Sequence, residues 1–365
     1  MSETTGRSDG TDLRSEAHIV DCDLHITSIP DEVLSEYLPS RYRDRGLTIP
    51  TPGYAHPHGR TIHTQPDRMT PTRMRTDHLD EYDVDFGVIT GSTTAQSIST
   101  HPNRDYATEV SRAHNEFVAD TWLPSDDRLF GSVLVAPQDP TGAVELVDEF
   151  GSRPEFVQVV MGSSCDEGYG HPQYWPIYEA AVERGLPVAI HTGNDGAGIG
   201  HTVSAGNPTN YLEWHTALSA GYMSHVNSLV VEGVFEEFPD LTFVCIEGGF
   251  AWVPHLMWRL DKNWRGLRDQ APWLTRPPSE YIREHVRFTT QPIPEPERSE
   301  QLIQIFEMMS AEQTLLFSSD FPHWDTDDAA LTLPRETPAS MHDRIMYGNA
   351  AELYGFSIDE AGADR

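Results

Sequence analysis

Lysine is almost missing from this chain. Among 365 residues there is one, Lys262, and 25 basic residues face 57 acidic ones, for a formal net charge of −32. So large a deficit of positive charge makes nucleic acid an unexpected partner. Cysteine is scarce too. Cys22, Cys165 and Cys245 are too few and too scattered for a disulfide framework, no CxxC pair occurs and no signal peptide is evident, so the expected location is a reducing cytoplasm. No apolar run approaches the roughly 18 residues that a membrane span requires, and no membrane association is expected. The first strand-like run also lacks a glycine-rich phosphate turn, which argues against an open nucleotide-binding sheet.

The acids are spread along the chain rather than gathered in a tail, so the whole surface is anionic. That distribution suggests a halophilic cytosol, where abundant cations screen the self-repulsion. Retention of fold and activity in low-salt buffer would count against it.

Residues 1–17 are polar with no apolar period and read as a disordered arm; residues 357–365 read as a flexible tail. Between them, residues 18–356 alternate short β-branched or aromatic runs with amphipathic helical segments and contain no linker. Eight strands are expected, at 19–23, 86–90, 129–135, 156–160, 187–191, 241–246, 286–290 and 314–319, with helical patterns at 103–122, 173–184, 209–237, 297–309 and 340–354. Eight strands with intervening helices are what a single (β/α)8 TIM barrel requires. The stretch from about 40 to 76 breaks the alternation. It is an insertion rich in Pro, Arg and His, and its arginines, including Arg60, Arg68, Arg73 and Arg75, are candidates for holding a substrate carboxylate; Arg73 and Arg75 are the preferred pair.

Four strand-like runs end in residues with chemistry. LLFSSDFPHWD, 315–325, passes from an apolar run to Asp320 and a proline turn; IVDCDLH ends in Asp23 and His25, PVAIHTG contains His191, and LTFVCIEGG reaches Glu247. Strand C-termini are where such a barrel keeps its active site. Asp23 and His25, two apart on a strand, are expected to share one face. Acids and histidines collected from separate strand ends suggest a bound metal ion.

VDCDLH, the histidine in AIHTGN, EGGFAWVPHLMWRLD, LLFSSDFPH and YGNAAELYGF together resemble the amidohydrolase superfamily, in the branch related to aminocarboxymuconate-semialdehyde decarboxylase, often called amidohydrolase family 2. The resemblance spans about residues 19–356. It implies a barrel of the metal-dependent hydrolase type with one divalent ion (Mn, Zn or Fe) at the strand ends, held by Asp23, His25, His191 and Asp320. Two positions depart from the family pattern: Asp23 stands where the first strand usually carries histidine, and Glu247 replaces the histidine of the sixth. With Asp23, Glu247 and Asp320 beside two neutral histidines, a divalent ion would leave a net charge of about −1, which favours harder ions. FVQVVMG on the fourth strand offers no lysine to bridge two ions, so at most one metal is expected.

The catalytic candidates are Asp320, Glu247 and His191, and the substrate-binding candidates are Arg73, Arg75, Trp252 and His323. The favoured reaction is non-oxidative decarboxylation of a small unsaturated or aromatic carboxylic acid. Hydrolysis of an amide, ester or lactone by metal-activated water is the alternative, and a metal-free binding barrel the third. His201, His215, His225 and His255 read as surface or capping residues, Trp252, Trp258, Trp264 and Trp273 as mainly a helix packing face, and Cys245 as a small filler. The expected partners are a small-molecule substrate and a second copy of the chain in a homodimer.

Overall fold

The computed structural model describes residues 18–26, 29–43, 69–92, 97–193, 206 and 208–357. The polar arm at 1–17, most of the 40–76 insertion with Arg60 and Arg68, His201, and all but the first residue of the tail lie outside the described residues.

Eight parallel strands form one sheet in sequence order: β1 Val20–His25, β2 Phe86–Gly91, β3 Leu129–Leu134, β4 Phe156–Gly162, β5 Val188–His191, β6 Phe243–Ile246, β7 Val286–Thr289 and β8 Leu315–Leu316. Each pairs with its neighbour, and β1 meets the end of β8 through Cys22 N–H to Phe317 O at 3.0 Å and His25 N–H to Phe321 O at 2.8 Å. The ring closes there. All eight strands fall at the expected places, because near-continuous runs of Val, Ile, Leu and Phe are what a strand covered on both faces needs.

The helices clothe the barrel, and the core lies between the two layers and within the strand ring. Pro140–Phe150, absent from the expected set, starts on Asp139, whose carboxylate accepts from Gly142 N at 3.3 Å, with proline in the first turn. The segment expected as one helix over 209–237 is two, Tyr211–Val231 and Val234–Glu237, divided at Gly233 with φ +81°. The expected tryptophan packing face is only partly formed: Trp258 and Trp273 are 59% and 44% exposed. Trp258 is turned outward on helix Val253–Gly266, while Trp273 bonds Val231 O at 2.9 Å across Gly233.

The last turns of the chain, Asn349–Tyr354, return beneath the strands, and the Tyr354 hydroxyl bonds Gln158 Oε1 at 2.9 Å. No helix of the described residues is long and apolar enough to cross a membrane.

Candidate metal centre and active site

At the C-terminal ends of β1, β5 and β8, four buried side chains converge. One ligand atom from each of Asp23, His25, His191 and Asp320 lies within 4.8 Å of all the others. His25 Nε2 is 2.9 Å from Asp320 Oδ1 and 3.2 Å from Asp23 Oδ1, and His191 Nε2 is 3.4 Å from Asp23 Oδ2. Yet among the described residues His25 Nε2, His191 Nε2 and Asp23 Oδ2 have no hydrogen-bond partner although they are buried. Close approach without hydrogen-bond alignment is the signature of atoms aimed at a common point. Ligand atoms about 2.1 Å from one ion stand about 3.0 Å apart along an octahedral edge and about 3.4 Å along a tetrahedral one. The residues therefore fit a single cation.

The backbone aims these groups at a cost. β1 carries register irregularities against β2 between Asp21 and Leu24 and between Leu24 and His25, so the convergence of Asp23 and His25 is not simple strand alternation but a bulged end that re-aims side chains. Glu247 and Asp320 adopt φ +60° and +61°, the left-handed region that non-glycine residues rarely enter. Gly248, next to the first, is close-packed: a Cβ there would meet the Tyr222 ring at 2.4 Å.

Surrounding contacts hold each ligand. His191 Nδ1 donates to Thr192 O at 2.9 Å, which leaves Nε2 as the ligand atom. Thr90 donates to Asp23. His323, proposed from sequence as a substrate contact, lies with Nδ1 2.7 and 2.9 Å from the two Asp320 oxygens and stacks on His25 at 4.1 Å. It orients the carboxylate.

The two acids of the cluster are pushed apart in pKa. Burial raises Asp23, but His191 and His25 together more than reverse it, holding the carboxyl well below its usual range. Burial also raises Asp320, and Glu247, Asp23 and Asp325 add to it, so this carboxyl lies well above its usual range.

Glu247 stands beside the four-residue group rather than in it, with Oε2 3.5 Å from His191 Nε2 and its N–H bonded to Thr289 Oγ1 at 3.0 Å. The converging set thus carries two carboxyl groups, Asp23 and Asp320, and the net of about −1 expected with Glu247 included does not apply to it.

His215 corrects the sequence reading, which made it a surface or capping residue. From the first turns of helix Tyr211–Val231, its Nε2 reaches within 3.5 Å of Glu247 Oε1 and 3.3 Å of Asp325 Oδ2. Its ring stacks on Tyr211 and tilts against Trp324, whose indole donates to the Tyr211 hydroxyl at 2.9 Å. Asn210, capping Glu213 N at 3.0 Å, was a readable helix start, and a histidine five residues on was the available signal. Asp21 was also missed as part of the support: it bonds His78 Nε2 at 2.7 Å and Ser319 N at 3.0 Å, tying β1 to the end of β8.

Other candidates fall elsewhere. Arg73 Nε pairs with Asp77 Oδ2 at 2.8 Å on the short helix Pro71–Met74 and the turn after it, and Arg75 is exposed. Trp252 donates to Gly248 O at 3.0 Å and meets the Phe288 ring edge-on. His225 is buried, its Nε2 donating to Ser163 O at 2.8 Å; His255 is exposed, as expected. Cys245 is buried and its thiol is pushed up by desolvation, in keeping with a filler.

A closed eight-stranded α/β barrel with buried acids and histidines at its strand C-termini belongs to the metal-dependent hydrolase class of folds. A sequence model of the amidohydrolase family matches residues 20–356, and the chain belongs to that family. Gamma-resorcylate decarboxylase of Rhodococcus jostii is 26% identical over 301 residues, covering 76% of this chain and 85% of the relative. In fold, 5-carboxyvanillate decarboxylase from Sphingomonas paucimobilis superposes with a TM-score of 0.69 at 19% identity, covering 93% of this chain and 100% of that one. Dihydroxybenzoic acid decarboxylase from a Polaromonas species, solved with manganese and the inhibitor 2-nitroresorcinol, gives 0.68 at 17% identity, covering 95% and 99%.

Proposed function

We propose that this protein is a metal-dependent, non-oxidative decarboxylase of aromatic carboxylic acids. The observation that carries the reading is the buried convergence of Asp23, His25, His191 and Asp320, with Asp23 Oδ2, His25 Nε2 and His191 Nε2 lacking a hydrogen-bond partner among the described residues. The relatives named for the same reaction support it, and manganese in one of them makes Mn the first ion to test. A divalent ion held by these four residues would bind substrate oxygens and stabilise negative charge spreading into the ring.

The chain's own groups supply the rest. Asp320, buried and in contact with His323 through both oxygens, is the group placed to carry a proton to the ring carbon that bears the carboxylate. The bond from that carbon to the carboxylate then breaks, its electron pair returns to the ring, and carbon dioxide leaves. His323, in contact with both Asp320 oxygens and only partly buried, returns a proton from solvent. His215 bridges Glu247 and Asp325 and fixes Glu247 beside His191. Tyr211 and Trp324, stacked around His215, give an aromatic ring a flat surface beside the cluster.

The test is carbon dioxide release from hydroxylated benzoates by protein purified in high salt and loaded with Mn, with metal content measured on the same sample. Release with about one equivalent of metal supports the reading. A loaded protein that leaves every benzoate intact while opening lactones or amides would replace it with the hydrolytic one.

A further inference from the structure

The opposite mouth of the barrel carries a second site. A cavity of about 680 Å³ lies under the N-terminal ends of β5 to β8, between Leu186, Thr242 and Gln313 at the strand starts and the returning Asn349–Tyr354 turns. Three of this chain's few basic residues line it: Arg283, Arg287 and Arg344.

Arg287 is the unusual one. Its Nη1 donates to Glu284 O at 2.9 Å, Val286 O at 3.2 Å and Arg283 O at 3.4 Å, and among the described residues no protein acceptor meets its Nε or Nη2. No carboxylate of the described residues lies within 4.0 Å of this largely buried guanidinium, although a buried charge is ordinarily paired. The acids in the wall are mostly taken: Glu284 pairs with Arg276, and Glu352 with Arg344 at 2.8 Å. Asp240 is exposed, so Arg283 and Arg287 together outweigh it.

We infer that this cavity binds a small organic anion: the guanidinium donors of Arg287, helped by Arg283, take its carboxylate or phosphate. A planar fork of N–H donors suits either oxyanion, and the volume is that of an ordinary small-molecule site. The site lies at the end of the barrel away from the metal cluster and does not depend on the proposed reaction.

The experiment is titration calorimetry on the full chain, metal-loaded, at fixed high ionic strength, with malate, succinate, glycerol phosphate and inorganic phosphate as probes. Saturable binding is expected of malate and succinate if the site takes a carboxylate, and of glycerol phosphate and inorganic phosphate if it takes a phosphate. Arg287→Gln should weaken binding about tenfold or more while metal content stays at the native level. Arg283→Gln, on the helix before β7 and not in the strand itself, serves if Arg287→Gln does not fold. No saturable binding by any probe, or unchanged binding in a folded arginine variant, overturns the inference.

Discussion

The two mouths of this barrel are built from the same eight strands and end in opposite chemistry. At the C-terminal mouth, carboxylates and imidazoles converge with their polar atoms unpartnered on Asp23, His25 and His191. At the N-terminal mouth a partly buried guanidinium, Arg287, has no carboxylate within 4.0 Å among the described residues, and its Nη1 contacts are backbone carbonyls. In both places the fold tolerates an arrangement that an inert core would avoid, because desolvated charge without a partner is unfavourable. The difference lies in the backbone. The C-terminal mouth bends itself to aim side chains, with Glu247 and Asp320 in the left-handed region and a bulged end on β1, whereas β7 around Arg287 is regular strand pairing. At the C-terminal mouth the left-handed residues belong to the site itself, whereas at the other mouth Asp83 and Ser310, at φ +53° and +62°, lie in the connections that precede β2 and β8.

The comparison breaks most severely at Asp320. Asp320→Asn keeps the shape of the carboxyl but cannot donate the proton, and carbon dioxide release should fall by about a thousandfold, with anion binding at the far mouth unchanged. His191→Ala should instead remove the metal, read by plasma mass spectrometry. If Asp320→Asn retained near-native release with full metal content, the acid would have to be sought elsewhere, with Glu247 next. The next largest effect is expected at His215. His215→Gln should lower kcat by about tenfold with metal content unchanged, since it positions Glu247 and touches none of the four converging residues. A change confined to KM would assign His215 to substrate contact instead.

Much of this was legible in the sequence, and the exceptions share a cause. The strands could be read because buried parallel strands are continuous apolar runs, and Asp23, His25, His191 and Asp320 could be read because each sits at the end of one. Proximity along the chain carried the inference. His215 reaches the site from a helix that follows the long connection after β5, and His78 reaches Asp21 from a helical turn before β2. Nothing local distinguishes such a histidine from one on the surface, as His255 is. The arginine cavity was hidden for the same reason. Arg283, Arg287 and Arg344 come from the helix before β7, from β7 itself and from the C-terminal turns, and only the closed barrel brings them together.

Between the mouths' large effects and the surface's small ones stands Asp327, in the loop after β8, where burial raises its pKa to about 7 against the Ile293 N–H that favours the charged form. Its unfolded value is about 3.9. The folded state therefore binds more protons between about pH 4 and 7, and this residue's contribution to stability falls as pH rises through that window. Asp327→Asn should gain on the native protein by of order 1 kcal/mol at pH 8, after discount for partial exposure, and by nothing at pH 3. Denaturant unfolding of both proteins at the two pH values measures the difference, and an equal offset at both would remove the titration from the explanation.

The smallest effect is expected at Arg73, the residue that sequence alone made a substrate anchor. Its Nε lies 2.8 Å from Asp77 four residues on, in a pair with side chains 34% and 40% exposed. Exposed pairs of this kind contribute about 0.2–1 kcal/mol. Arg73→Gln should therefore shift stability by less than about 1 kcal/mol and leave KM for an aromatic acid unchanged. A rise in KM of tenfold or more at constant kcat would mean that the guanidinium leaves Asp77 when substrate binds. The C-terminal mouth would then recruit positive charge from the insertion on demand, where the N-terminal mouth keeps its arginines in place.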